Sequence, residues 1–342
     1  MRRVSKKIKI IIWVLFLAWF FWWLKFANHY PSKITLEAKP DFWGVTYSSK
    51  LAVNLGLDWG DTFIHIIDDL GVKNVRMPIY WDWIENEKNE YDFYAFDYLL
   101  DQGQQRNVDF VANIGWRLPR WPECHSPAWL DKNDEAVRKA EILKMLKVVV
   151  ERYKDRPEIV AWQVENEPLF DWFGECPQGD KEFLEQEVAL VKSLDSSRPI
   201  IISASGELST WRQEAKIGDM FGTTMYRVVW NNWFGYFRYP WPAWFYGFKA
   251  NLVGLPKQKV IISELQAEPW VPHGSLVTLK NKEIQKSLSI KQLSANLQYA
   301  IDTDLNQAYL WGVEYWYAKY QQGDHSYWDF MKQILKNARY ER

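Results

Sequence analysis

The chain has 342 residues and a formal net charge of −1, with 42 Lys+Arg against 43 Asp+Glu. That length holds one large domain or two ordinary ones, and the charge balance removes the electrostatic case for a nucleic-acid partner. Its unusual feature is 22 Trp beside 18 Tyr and 18 Phe, flat side chains that fill cores, line membrane interfaces or stack on the apolar faces of sugar rings.

The first segment opens on Arg2, Arg3, Lys6, Lys7 and Lys9, continues uncharged from Ile10 to Leu24, and meets Lys25. Taken from Ile8 to Ala27, with its two lysines snorkelling, it predicts one transmembrane helix with a cytoplasmic N-terminus. Trp22 to Asn28 offers no small-x-small cleavage site, which favours an uncleaved anchor over a secretory signal. The expected organisation is therefore a basic start and anchor over 1–30 and a monomeric extracytoplasmic domain over 31–342, on a single-pass protein of the cell membrane. Cys124 and Cys176 follow strands expected to be neighbours, and export would let a disulfide between them persist. Two free thiols are the alternative.

From Asp41 onward, apolar β-rich runs alternate with stretches of helical period. The runs are Phe42 to Ser48, Asn74 to Trp81, Asp109 to Trp116, Ile159 to Glu165, Ile200 to Ser205, Phe221 to Tyr226, Lys259 to Glu264 and Ala308 to Tyr315. Helices are predicted at Asp61 to Leu70, Phe93 to Arg106, Asp134 to Tyr153, Lys181 to Leu194, Ser289 to Thr303 and Tyr327 to Ala338. Strands that are apolar throughout, each followed by a helix, pair in parallel with both faces covered, and eight such units predict an α/β fold, a (β/α)8 barrel. The aromatic stretch Asn231 to Gly247 interrupts the pattern and reads as a long loop at the barrel mouth.

Sites of such barrels lie at the C-terminal ends of the strands. Arg76, Asn113, Asn166, Glu167, Tyr226, Glu264 and Trp311 all fall there. Two glutamates at such positions suit glycosidic bond cleavage, which needs one carboxyl that holds a proton and one that stays ionised. Glu165 and Glu268 compete for the same roles; in regular pleating Glu165 points to the same face as Glu167.

Asn166-Glu167-Pro168 after the fourth run, with Glu264 after the seventh, resembles clan A glycoside hydrolases, retaining (β/α)8 enzymes that include many cellulases. The resemblance spans about Phe42 to Trp316. It implies that Glu167 is the general acid/base and Glu264 the nucleophile, with Asn166 on the sugar 2-hydroxyl. It further implies that Arg76 holds the nucleophile ionised, Tyr226 stands beside it, and Trp311 is the floor for the cleaved sugar. Asn113 and Tyr226 stand nearest to where many such cellulases carry histidines, so close cellulase identity is not implied. Ser263-Glu-Leu-Gln266 is similar to β-galactosidase-like members.

Among the tryptophans of the mouth loops, Trp116, Trp121, Trp230, Trp233 and Trp270 are candidate sugar platforms, with loop packing as the alternative. The expected activity is hydrolysis of a β-linked oligo- or polysaccharide. A transglycosylase would use the same residues, and a carbohydrate-binding protein on a degenerate barrel would keep only the aromatics. The five histidines are scattered singly, with no metal-binding pair, and no phosphate-binding or dinucleotide fingerprint occurs. No metal and no cofactor are therefore expected.

Overall fold

The computed structural model describes residues 6–27, 31 and 33–338, except for the side chains of 23–27. Arg2 and Arg3, the side chains at the end of the expected anchor and the boundary at residue 30 lie outside what is described.

Eight parallel strands close into a barrel. They are β1 (Trp43–Thr46), β2 (Asn74–Pro78), β3 (Asp109–Ile114), β4 (Ile159–Val164), β5 (Ile200–Ala204), β6 (Met220–Met225), β7 (Val260–Gln266) and β8 (Ala308–Trp311). Each strand pairs with its neighbours in chain order, and β8 closes on β1. All eight lie within the predicted runs or overlap them. Their near-complete burial explains the absence of polar alternation, because the outer face meets helices and the inner face meets other strands. Val111, Ala161, Ile201, Ile261 and Tyr309 pack together inside the barrel.

Helix starts follow the capping residues. Asp58, Asp134, Asp180 and Ser289 each accept a backbone N–H from the first turn of the helix they precede. Two stretches depart from expectation. The strand predicted through Tyr315 ends at Trp311, because Gly312 turns the chain at φ 125° into a helix over Val313–Gln321. The stretch 231–247 is not a plain loop: Val228–Asn231 and Gly235–Arg238 pair as an antiparallel hairpin, and a helix follows over Trp244–Leu252.

The transmembrane anchor expected over Ile8 to Ala27 is not met: among the described residues no helix is long and apolar enough to cross a membrane. A helix does run over Lys6–Ala27, with Lys6, Lys7 and Lys9 in its first turn. The uncharged run, Ile10 to Leu24, spans about 22 Å at the helical rise, short of a hydrocarbon core of about 30 Å.

Cys124 and Cys176 form a disulfide between the loops after β3 and β4. Their separation of 52 residues makes the cross-link a large constraint on the unfolded chain. Replacing both cysteines by serine should cost about 2–4 kcal/mol and lower Tm by about 3–6 °C, measured by calorimetry. Wild-type protein under reductant should move by the same amount.

Candidate active site

Arg76 stands on β2 with no solvent exposure, a position a guanidinium holds only when its donors are matched. Its Nε donates to Gln163 Oε1 at 2.7 Å, and one terminal nitrogen to Asn166 Oδ1 at 2.7 Å and Asn113 Oδ1 at 3.3 Å. The other donates to Glu264 Oε1 at 3.2 Å, and more weakly to Thr46 Oγ1 and the Ser263 carbonyl, both at 3.4 Å. One side chain thus ties together β1, β2, β3, β4, β7 and the turn after β4.

Glu264 reaches this site through a defect in the sheet. Ile261 faces the barrel interior, and Ser263 packs against Gly222 of β6, so regular alternation would turn Glu264 outward. A register slip intervenes: Thr223 pairs with Ile262, but Thr224 pairs with Glu264. Irregularities of this kind re-aim side chains near sites. Glu264 Oε2 accepts the Tyr226 hydroxyl at 2.8 Å, so both oxygens are served by donors, the pattern of a carboxylate. Burial and the Glu264 charge push the Tyr226 hydroxyl well above its usual range, which keeps it protonated and a donor. Glu207 fixes the backbone there, accepting the Tyr226 N–H at 2.9 Å and the Tyr246 hydroxyl at 2.6 Å.

The turn after β4 separates the competing acids. Glu165 and Glu167 adopt left-handed φ values of 58° and 46°, which ends the pleat. Glu165 turns back to the loop after β3 and accepts the backbone N–H groups of Trp116 at 2.7 Å and Arg117 at 2.5 Å. Gly115 permits this: a Cβ there would stand 2.3 Å from Glu165 Oε1. Behind Glu165 lies Glu187, which burial and the Glu165 charge hold well above the carboxylate range. Glu167 instead meets Thr224, whose hydroxyl donates to Oε1 at 3.3 Å, while its backbone N–H donates to Ser203 Oγ at 3.0 Å. Burial and the charges of Glu264 and Glu123 push the Glu167 carboxyl well above the usual range. Thr224 therefore links the two glutamates, bonded to one and paired in register with the other.

Two residues of the β3 loop join the site without having been foreseen. Glu123, buried, accepts the Asn166 side-chain N–H at 3.3 Å, and burial and the Glu264 charge push its carboxyl up to about 8. Arg120 lays its guanidinium 3.9 Å from the Trp311 ring centre, held by Glu268 at 2.5 Å and Glu314 at 3.3 Å. The available signal was the density of charged residues in Arg117-Leu-Pro-Arg120-Trp-Pro-Glu123-Cys-His125 directly after a strand. Glu268 was seen in the sequence only as a competing acid; it is the partner of Arg120.

Three expected substrate contacts are corrected. Asn113 has no exposure, and its amide N–H groups are spent on the carbonyls of Gln163 and Glu165, so it braces the turn. Trp116 lies behind that turn, beside a cavity of about 70 Å³ lined also by the disulfide, and its indole N–H donates to Ser126 Oγ. Arg120 lies over one face of Trp311, the expected floor, which is itself buried. Trp270 is half-buried and edge-on to Tyr226 at 5.7 Å. Trp230 stands with His273 and Tyr236 along an open groove of about 500 Å³. Among the described residues no group of His, Cys, Asp and Glu is arranged to hold a metal ion.

Residues 103–330 match the model of the glycosyl hydrolases family 2 TIM barrel domain, two thirds of the chain. The β-galactosidase LacZ of Lactobacillus acidophilus is 22% identical over 153 residues, 39% of this chain and 23% of that protein; the chain thus matches about a quarter of that relative's length. Among solved structures, xylanase 10B of Thermotoga petrophila in complex with xylobiose superposes with a TM-score of 0.58 at 14% identity, covering 88% of this chain and 94% of that one. GH5_18 of Streptomyces cattleya in complex with GlcNAc gives 0.56 at 14% identity, covering 80% and 71%. At these identities the structural likeness is one of fold.

Arg76→Met would leave Glu264 buried without its cation, a loss expected to cost about 3–5 kcal/mol in urea unfolding. Adding Glu264→Gln to that variant should recover part of the loss, because it removes the unpaired charge.

Proposed function

Because the chain belongs to the glycosyl hydrolase family 2 TIM-barrel family, we propose that it is a retaining β-glycoside hydrolase acting on a β-linked oligo- or polysaccharide. The observation that carries the reading is the inequality of the two glutamates joined through Thr224. Glu264 has both oxygens engaged by donors, one of them cationic, whereas Glu167 is pushed toward its protonated form. Glu264 attacks the anomeric carbon while Glu167 gives its proton to the departing glycosidic oxygen. In the second step Glu167, now a carboxylate, takes a proton from water, the water oxygen bonds to the anomeric carbon, and the bond to Glu264 breaks. The retaining course requires the two carboxyl groups to stand about 5 to 5.5 Å apart. Asn166, held by Arg76 through Oδ1 and facing Glu123 through Nδ2, is oriented for a sugar hydroxyl. Trp270 and Trp230 are the stacking surfaces of this reading.

The proposal places the barrel outside the cytoplasm, at a membrane. The disulfide supports an oxidising compartment. The helix from Lys6 supports attachment, since every described side chain on it is exposed and most are apolar.

Glu264→Gln should abolish turnover of aryl β-glycosides, assayed with glucoside, galactoside, mannoside and xyloside substrates. Glu167→Gln should lose about 10²–10⁴-fold on substrates with poor leaving groups, yet still release a dinitrophenolate in a burst, because that group leaves without a proton. Full activity of either variant on unactivated substrate would sink the assignment.

The pH dependence follows from the same charges. A proton donor with a raised pKa works while protonated, and activity falls as pH rises through that pKa. Above its own pKa of about 8, Glu123 is ionised and its charge strengthens proton binding at Glu167. Glu123→Gln should therefore move the alkaline limb of kcat/KM to lower pH by roughly one unit.

A further inference from the structure

The hairpin after β6 and the helix over Trp244–Leu252 carry an apolar surface that the chain itself leaves uncovered. Trp233 is 90% exposed and Phe234 79%, both at the hairpin tip. On the helix, Trp244, Phe248 and Leu252 recur at the spacing of one face and are 63%, 48% and 69% exposed, while Tyr246, Gly247, Lys249 and Ala250 face inward. Patches of this kind on a soluble barrel mark a surface that meets something else. We propose that this flank docks on a phospholipid bilayer bearing anionic headgroups.

Two independent observations select lipid over a sugar chain. The first is charge. From Met220 to Ser263 the sequence contains no Asp or Glu, in a chain whose total is −1; of its five basic residues Arg227 and Lys249 are buried, while Arg238, Lys257 and Lys259 reach the surface, Lys257 paired with Asp304. A basic, Trp- and Phe-rich surface with Leu in the same stripe suits the headgroup layer, whereas Leu gives a sugar ring no platform.

The second is where the N-terminal segment joins the barrel. The backbone N–H groups of Thr35 and Leu36 donate to Gln298 Oε1 on the helix over Ile290–Asp302. The next residue of that helix, Tyr299, packs on Tyr246 and donates its hydroxyl to the Trp241 carbonyl. The segment that follows the exposed apolar helix Lys6–Ala27 thus enters beside the same flank. The hairpin begins two residues after Tyr226, so docking sets the β6 side of the site against the headgroups.

The test is hydroxyl-radical footprinting of the full-length chain on vesicles of phosphatidylcholine alone or with about 30 mol% phosphatidylglycerol. Trp172, 81% exposed in the loop after β4, is the internal reference, and Trp13 and Trp19 report the N-terminal helix separately. Oxidation of Trp233, Phe234, Trp244, Phe248 and Leu252 is expected to fall about fivefold or more relative to Trp172 on the anionic vesicles, and to return with added salt. The variant Trp233→Ser/Phe248→Ser/Leu252→Ser, checked for an unchanged melting temperature, should reopen Trp244. Oxidation at Trp233 and Trp244 that tracks Trp172 on both vesicles overturns the proposal. So does protection of Trp233 by a soluble β-glucan oligosaccharide but not by lipid, which would make the tip a sugar platform.

Discussion

A fully buried guanidinium is the constraint from which the site follows. Arg76 stands where water cannot reach it, so every donor must find a protein acceptor, and the acceptors come from opposite sides of the barrel. Desolvation makes any loosening costly, so Glu264, Asn166 and Gln163 are held relative to one another by a penalty rather than by flexible contacts. This is what a two-carboxylate reaction requires, since rate falls steeply when the reacting groups are misplaced.

The opposing requirement is that two carboxyl groups so close must differ. The structure separates them by surroundings, not by sequence. Glu264 faces Arg76 and a tyrosine that keeps its proton, while Glu167 has one threonine hydroxyl and lies near the acidic groups of Glu264, Glu123 and Glu207. In the proposed reaction, the same charge that would make Glu264 a nucleophile helps to keep Glu167 an acid. When Glu264 becomes a sugar ester in that reaction its charge vanishes, and Glu167 loses part of the cause that held its proton. That change suits its second role as base.

The barrel was legible because its strands are apolar on both faces and its helices open on Asp and Ser caps, signals that survive in one dimension. The two glutamates were legible through the Asn-Glu-Pro run and the strand ends. Less legible was anything set by departures from regular backbone. The left-handed turn at Glu165 decides which of two acids faces the site, and the register slip opposite Thr224 decides where Glu264 points; neither has a local sequence mark. Asn113 and Trp116 were placed correctly along the chain yet misassigned, because strand position does not say whether a polar group is already spent on the protein. The hairpin after β6 was hidden by its aromatic composition, which lacks the alternation of a strand pair exposed on one face.

The loop after β3 is where the proposed hydrolase would set its specificity. Its backbone is held twice, by the disulfide to the β4 loop and by Glu165 accepting its amides. Held there, it delivers Arg120 onto Trp311 and Glu123 onto Asn166. A floor of bare indole would accept any ring with an apolar face. With a guanidinium lying on it, balanced by Glu268 and Glu314, the same place offers directed polar groups, and burial makes each unmet one costly. In the proposed function, discrimination among sugars rests on which hydroxyls meet Glu123, Arg120 and Asn166. In the proposed reaction the chemistry rests on Arg76 and the two glutamates, and the β3 loop touches it through Glu123, whose charge bears on Glu167.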